Sequence, residues 1–161
     1  MPPIDAAASS ALDHPANHCF GCGPDNPRGL HLRFSMDATD PEHPVSTTTT
    51  ALDRTCEGPP GYLHGGLIAT LLDEAMSKLN RSLGVIAVTR NMQIDYLRPV
   101  PLHQPITVTG RHLHREGRKL FHQAAITHAN GTVLAEAQGL FVALDERLLA
   151  AAGLTGPKDE S

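Results

Sequence analysis

The 161-residue chain contains no tryptophan, and only 4% of its residues are aromatic. With so few rings to stack on bases, and no lysine or arginine run in a chain of formal charge −4, nucleic acid is not an expected partner. No hydrophobic run approaches the roughly 20 residues that a membrane-spanning helix needs, and the N-terminus lacks the basic and apolar regions of a signal peptide. There are three cysteines, an odd number that does not build a disulfide framework. These absences leave a cytoplasmic protein as the expectation. The length suits one domain with a real core.

The most informative stretch present is Gly61-Tyr62-Leu63-His64-Gly65-Gly66, followed by Leu67 to Asp73. Glycines at 61, 65 and 66 stand where a loop becomes a helix, and they allow close approach of another backbone or a ligand. Ile68, Leu71, Leu72, Ala75 and Leu79 then recur at helical spacing, predicting a buried helix to about Arg81. The amides of Gly65 and Gly66 would lie open at its positive end, a cradle for an anion or a developing oxyanion. No acidic side chain in the first turn fills that cradle, which favours an external ligand.

Asp73 falls on the helix face that carries Gly66, Ala69, Thr70 and Ser77, beside the apolar stripe, while Glu74 pairs outward with Lys78. A carboxylate on a face of small residues is often a structural acceptor. The alternative is a catalytic carboxylate kept poised by partial burial. Asp73 lies seven residues beyond Gly66, about 10 Å along the axis, so one small reacting group cannot reach both on the same helix. Two helices packed antiparallel across a two-fold axis would bring Gly66 of one copy near Asp73 of the other. A homodimer is therefore expected.

Residues 1–17 are rich in Ala, Pro and Ser and read as a loosely ordered lead-in. Next comes His18-Cys19-Phe20-Gly21-Cys22-Gly23, whose Cys-x-x-Cys pair could be half of a zinc site. No second half is visible, because Cys56 stands alone, so no metal is expected and the thiols are read as packing against the core. Leu30, Leu32 and Phe34 alternate with His31 and Arg33 as a short strand, and Val45 to Leu52 is a second. Beyond the helix, Ile86, Val88, Met92, Ile94 and Tyr96 alternate with Thr89, Asn91, Gln93 and Asp95, one apolar face and one polar. Three more strands are expected over Ile106–Arg115, Lys119–His128 and Thr132–Leu144, separated by turns at Glu116-Gly117 and Asn130-Gly131. Residues 146–161 read as a tail. A single helix against such a sheet is buried only if the sheet wraps around it, which makes the class α+β.

That order, with His64-Gly65-Gly66 opening the helix, resembles the hotdog fold, a curved antiparallel sheet of about six strands around one long helix. Within it the chain resembles the PaaI-type acyl-CoA thioesterases over residues 18–145. The opening Cys19-Phe20-Gly21-Cys22-Gly23 with Asn26-Pro27 and Gly29-Leu30 matches one branch, and Asp73 stands nine residues after His64, the motif's usual spacing. Asp95-Tyr96-Leu97-Arg98-Pro99 matches the strand that follows.

The resemblance implies that a thioester carbonyl lies against the Gly66 amide, with Gly65 beside it, and that the neighbouring subunit's Asp73 is the catalytic carboxylate. It implies that His64 orients the site or the carbonyl, and that Thr89 holds the attacking water; taken alone, His64 also reads as a buried histidine capping a backbone group. Many relatives carry Asn six residues before the histidine, where this chain has Gly58. Glu57 or His64 would then take over that positioning.

The implied reaction is hydrolysis of an acyl-CoA to free acid and CoA without a cofactor. The helix start would stabilise the oxyanion, and Asp73 would act as base or nucleophile. Arg90, Asn91, Arg98, Arg115, Arg118 and Lys119 are candidates to hold CoA, though each arginine or lysine also reads as an ordinary solvated charge. Leu71, Met76 and Met92 are candidates to line the acyl pocket. Pairing of dimers into tetramers stays open. Two rival readings are a non-catalytic acyl-CoA binder and a hotdog hydratase or dehydratase.

Overall fold

The computed structural model describes residues 17–153. In chain order its elements are β1 (Ser35–Asp37), β2 (Val45–Thr50), a 3-10 turn (Arg54–Cys56), α1 (Gly65–Ser82), β3 (Ala87–Tyr96), β4 (Ile106–Glu116), β5 (Lys119–His128), β6 (Val133–Ala143) and α2 (Glu146–Ala151). The six strands form one antiparallel sheet in the order β1-β2-β4-β5-β6-β3, which leaves β3 at an edge. One face of the sheet wraps α1, as expected for the hotdog fold.

The apolar stripe of α1 explains its burial: Leu71, Leu72, Ala75, Met76 and Leu79 are all fully inaccessible. Truncating one of these leucines to alanine would cost about 2–5 kcal/mol. Two sheet glycines let the helix sit this close. A Cβ on Gly110 of β4 would stand 2.5 Å from the Ala75 carbonyl oxygen, and one on Gly139 of β6 would stand 2.9 Å from Met76 Sδ. The buried Ser46 hydroxyl of β2 donates to that same Ala75 carbonyl, tying sheet to helix where they are nearest. The helix stops at Gly84 (φ 72°), where Gly84 N–H donates to the Arg81 carbonyl and Val85 N–H to that of Asn80. That is the Schellman arrangement glycine permits.

Four local expectations differ from the structure. The first strand is displaced: Leu30 to Phe34 are not strand, His31 adopts φ 50°, and β1 starts at Ser35. Leu32 is buried nonetheless, so the alternation there marks side chains of a loop pressed onto the core. Residues 146–151 form the short helix α2, because the Asp145 carboxylate caps Leu148 N–H. Residues 1–16, most of the lead-in, and 154–161 of the tail lie outside the described residues. Glu74 and Lys78 do not point outward: their side chains are only 13% and 19% exposed, under the Cys19–Cys22 loop.

The fourth difference concerns β3. Its register against β6 shifts between Thr89 and Asn91, so Arg90 is an extra, bulged residue. Thr89 pairs with Phe141 and Met92 with Gly139, and both of these β6 residues are buried on the helix side. Unbroken alternation would have put Thr89 on the outer face with Gln93 and Asp95. The bulge instead turns Thr89 toward α1 and leaves Val88 50% exposed.

Candidate active site

His64 is the N-cap residue of α1, with extended backbone, and its Nδ1 accepts a hydrogen bond from the Gly66 amide at 2.9 Å. The expectation of an open amide at Gly66 is corrected here: an imidazole two residues upstream is within reach of that amide and fills it. The bond requires a bare Nδ1, so in the neutral ring Nε2 carries the proton. His64 is exposed. The first turn holds no acidic residue, as expected.

The loop before His64 is clasped to itself. His64 N–H donates to the Cys56 carbonyl, Gly58 N–H to that of Tyr62, and Leu63 N–H to that of Val100. Glu57 Oε1 accepts from Gly61 N–H at 2.8 Å and Oε2 lies 3.7 Å from Arg54, so Glu57 closes the loop. A Cβ on Gly58 would stand 2.7 Å from His64 Cα. The glycine that departs from the family pattern is thus the residue that lets the strand of loop pass under His64.

Asp73 sits half-buried on α1, and its Oδ1 accepts from Thr89 Oγ1 at 2.7 Å. Burial raises the Asp73 carboxyl above its ordinary 3.8; the Thr89 bond opposes this, and the nearby Glu74 charge adds to it. A carboxylate so placed is a competent proton acceptor. Within one chain, Asp73 and Gly66 remain two turns apart on the helix, so a single copy holds two half-sites.

Tyr96 is a contact the sequence did not single out. Its hydroxyl lies 3.4 Å from the Gly65 carbonyl, and its ring, 55% exposed, covers the helix start. The available signal was its two-residue spacing from Ile94 and Met92 on the helix-facing row of β3.

The remaining candidates are scattered. Arg90 and Asn91 are exposed at the bulge of β3. Arg98 donates to the Val133 carbonyl at 3.0 Å, and Arg118 pairs with Asp145 at 3.2 Å. Lys119 is exposed at the start of β5, and Arg115 donates to the Gly117 carbonyl. Leu71 and Met76 are fully buried and Met92 partly so. Cys22 is no ready nucleophile, since burial pushes its thiol up to about 11 despite the nearby Lys78 ammonium.

A six-stranded antiparallel sheet wrapped around one long helix that opens at His-Gly-Gly defines a hotdog fold. The comparisons with known proteins agree. The sequence model of the thioesterase superfamily matches residues 60–135. Mouse acyl-coenzyme A thioesterase THEM4 is 40% identical over 90 residues, covering 55% of this chain and 39% of the relative. The crystal structure of a thioesterase superfamily protein is 33% identical with a TM-score of 0.71, covering 78% of this chain and 60% of that one. A Streptococcus mutans protein solved bound to acetyl CoA is 25% identical with a TM-score of 0.61, covering 70% of this chain and 89% of the other. Over residues 60–135 this hotdog domain is similar to members of the thioesterase superfamily. The chain spans only about two fifths of the length of the curated THEM4 relatives it matches. Among the described residues, no helix is long and apolar enough to cross a membrane.

Proposed function

We propose that this protein hydrolyses an acyl-CoA thioester to the free acid and CoA at a site shared by two copies of the chain. The observation that carries this reading is the Thr89–Asp73 hydrogen bond at 2.7 Å on a half-buried stretch of α1. The start of one copy's helix faces the thioester carbonyl, and Asp73 of the other copy faces the attacking water. Oxygen of the water bonds to the carbonyl carbon while Asp73 takes its proton. The tetrahedral intermediate collapses, the carbon–sulfur bond breaks, and the proton passes to the departing CoA sulfur. In the alternative course, Asp73 attacks to give an anhydride that water then opens; single turnover in ¹⁸O-water separates the two by whether label enters Asp73.

The hydrogen bond between His64 and Gly66 alters the oxyanion's surroundings. Either the carbonyl displaces His64 Nδ1 from the amide, or His64 keeps the cap and offers its Nε2–H to the oxygen. Both use the positive end of α1.

Dimerisation is supported by β3. It is a ten-residue edge strand with Val88, Tyr96 and the adjoining Leu97 each about half exposed, and unpaired edges of this length are normally covered. CoA would lie near the exposed Arg90 and Asn91 and the basic turn at Arg118-Lys119. Packing of dimers into tetramers and a cytoplasmic location remain parts of this proposal.

The deciding experiment is a thiol-release assay over acyl-CoAs of graded length, aryl-CoAs included, with sedimentation of the same sample. Hydrolysis by a dimer, lost by at least ~10²-fold in Asp73→Ala, is expected. Binding without turnover would favour the acyl-CoA binder, and hydration of a crotonyl thioester would favour the hydratase.

A further inference from the structure

The cysteine loop, whose thiols the sequence reading packed against the core, gains a third metal-ligating neighbour from the fold. Cys19 Sγ lies 3.4 Å from Glu74 Oε1 on α1, and Cys19 Sγ, Cys22 Sγ and a Glu74 oxygen all lie within 4.8 Å of one another. Ligands at Zn–S and Zn–O distances across a tetrahedral angle stand about 3.6 Å apart, and two such sulfurs about 3.8 Å. The Cys19–Glu74 separation is already of that size, and the full set needs a contraction of no more than about 1.2 Å.

The loop is built for this approach. A Cβ on Gly21 would stand 2.3 Å from Glu74 Cγ, and one on Gly23 would stand 2.4 Å from Cys19 N, so glycine at both positions lets the turn press onto the helix. Backbone bonds hold it there: Gly23 N–H to the Cys19 carbonyl, Leu30 N–H to that of Phe20 and Leu32 N–H to that of Gly21.

We propose that Cys19, Cys22 and Glu74 form a Zn²⁺ site that staples the N-terminal loop to α1. Zn²⁺ bonds to both sulfurs as their two protons leave to solvent, and Glu74 supplies an oxygen, with water in the fourth position. Two thiolates and one carboxylate carry three negative charges, balanced by the ion together with the Lys78 ammonium. Lys78 Nζ is 2.9 Å from Cys22 Sγ and 3.9 Å from Glu74 Oε2, the position of an outer partner that donates to a metal-bound sulfur. Sequence inspection could not find this set, because the third ligand lies 52 residues beyond Cys22 and was assigned to an outward ion pair.

The test uses the full chain, reduced and stripped of metal, titrated with Co²⁺ and then Zn²⁺. Expected are one Co²⁺ per chain with thiolate-to-cobalt charge-transfer absorption, its displacement by Zn²⁺, release of two protons per ion and a raised melting temperature. Cys22→Ser should abolish the charge-transfer band, and Glu74→Gln should weaken binding by about 10-fold or more, with circular dichroism checking that each variant is folded. Folded wild-type protein that gives no band, or releases no protons, overturns the site. So does a band that survives in the Cys19→Ser, Cys22→Ser double variant.

Discussion

Thr89 Oγ1 donates a 2.7 Å hydrogen bond to Asp73 Oδ1, joining the edge strand β3 to the middle of α1. The bond exists because the extra residue Arg90 breaks the alternation of β3 and turns Thr89 onto the helix side. It couples an exposed edge strand of the sheet to the carboxylate on which the proposed chemistry depends.

The coupling has a signed consequence for pH dependence. Burial raises the Asp73 carboxyl and the Thr89 bond is the one cause that lowers it. Turnover that needs ionised Asp73 therefore falls on the acid side at a pH above the ordinary aspartate value of 3.8. Thr89→Val removes the lowering contact, so the acid limb of kcat/KM should move to higher pH and kcat should drop by about 10-fold or more. A pH–rate profile on both proteins measures this; a limb that stays fixed or moves down would separate Thr89 from the titration of Asp73.

The same shift makes Asp73 a stability cost at neutral pH. A raised carboxyl favours the fold only below its unfolded value of 3.8, and that contribution disappears as pH rises through the folded value. Asp73→Asn keeps an oxygen for Thr89 and removes the charge. Its melting temperature at pH 7 should exceed wild type while hydrolysis falls by at least ~10²-fold. Calorimetry beside the thiol-release assay checks both halves.

His64 can be divided into its cap and its Nε2–H. Asparagine is a good N-cap, so His64→Asn should preserve helix stability, whereas His64→Ala should cost about 0.5–2 kcal/mol in urea unfolding. If the Nε2–H serves the reaction, both variants lose turnover alike. Retained turnover in His64→Asn would assign His64 to capping alone.

Gly58 is fitted to its neighbour. With His64 Cα only 2.7 Å from where a Cβ would sit, Gly58→Ala should cost about 1–3 kcal/mol, and Gly58→Asn should lower rather than raise turnover by displacing His64. Urea melts and kcat on the two variants decide it.

The helix and five of the strands were legible because their signals are strong and local. The five-position apolar stripe of α1, the Asn130-Gly131 turn and the β-branched run of β2 each point to one local structure. Two kinds of feature were hidden. A single bulge at Arg90 reverses the phase of everything before it, and no residue type announces a bulge. Contacts such as Cys19 with Glu74, or Tyr96 with Gly65, join segments whose proximity is set only by the assembled fold. The cap on Gly66 was within sequence reach: a histidine capping a backbone group is one reading of His64, and the structure has that cap, on an exposed rather than a buried ring.

The core contains one further group whose titration bears on stability. His122 is fully buried, its Nε2 2.8 Å from Asn80 Oδ1 and its Nδ1 3.1 Å from Nδ1 of the buried His112. Asn80 Oδ1 can only accept, so His122 Nε2 carries the proton and His112 Nδ1 donates to His122. Burial and the neighbouring His112 push His122 down to about 3, while burial, His43, His114 and Arg115 lower His112. A depressed histidine contributes stability that is present above its unfolded value of 6.5 and lost as pH falls toward 3. On the order of 5 kcal/mol is at stake across that window for His122. The melting temperature should therefore drop steadily on acidification below pH 6.5. His122→Gln, which can still donate to Asn80 but takes no charge, should melt lower at neutral pH yet lose less on acidification. A variant whose acid slope equals that of wild type would show that His122 is not the group that sets it.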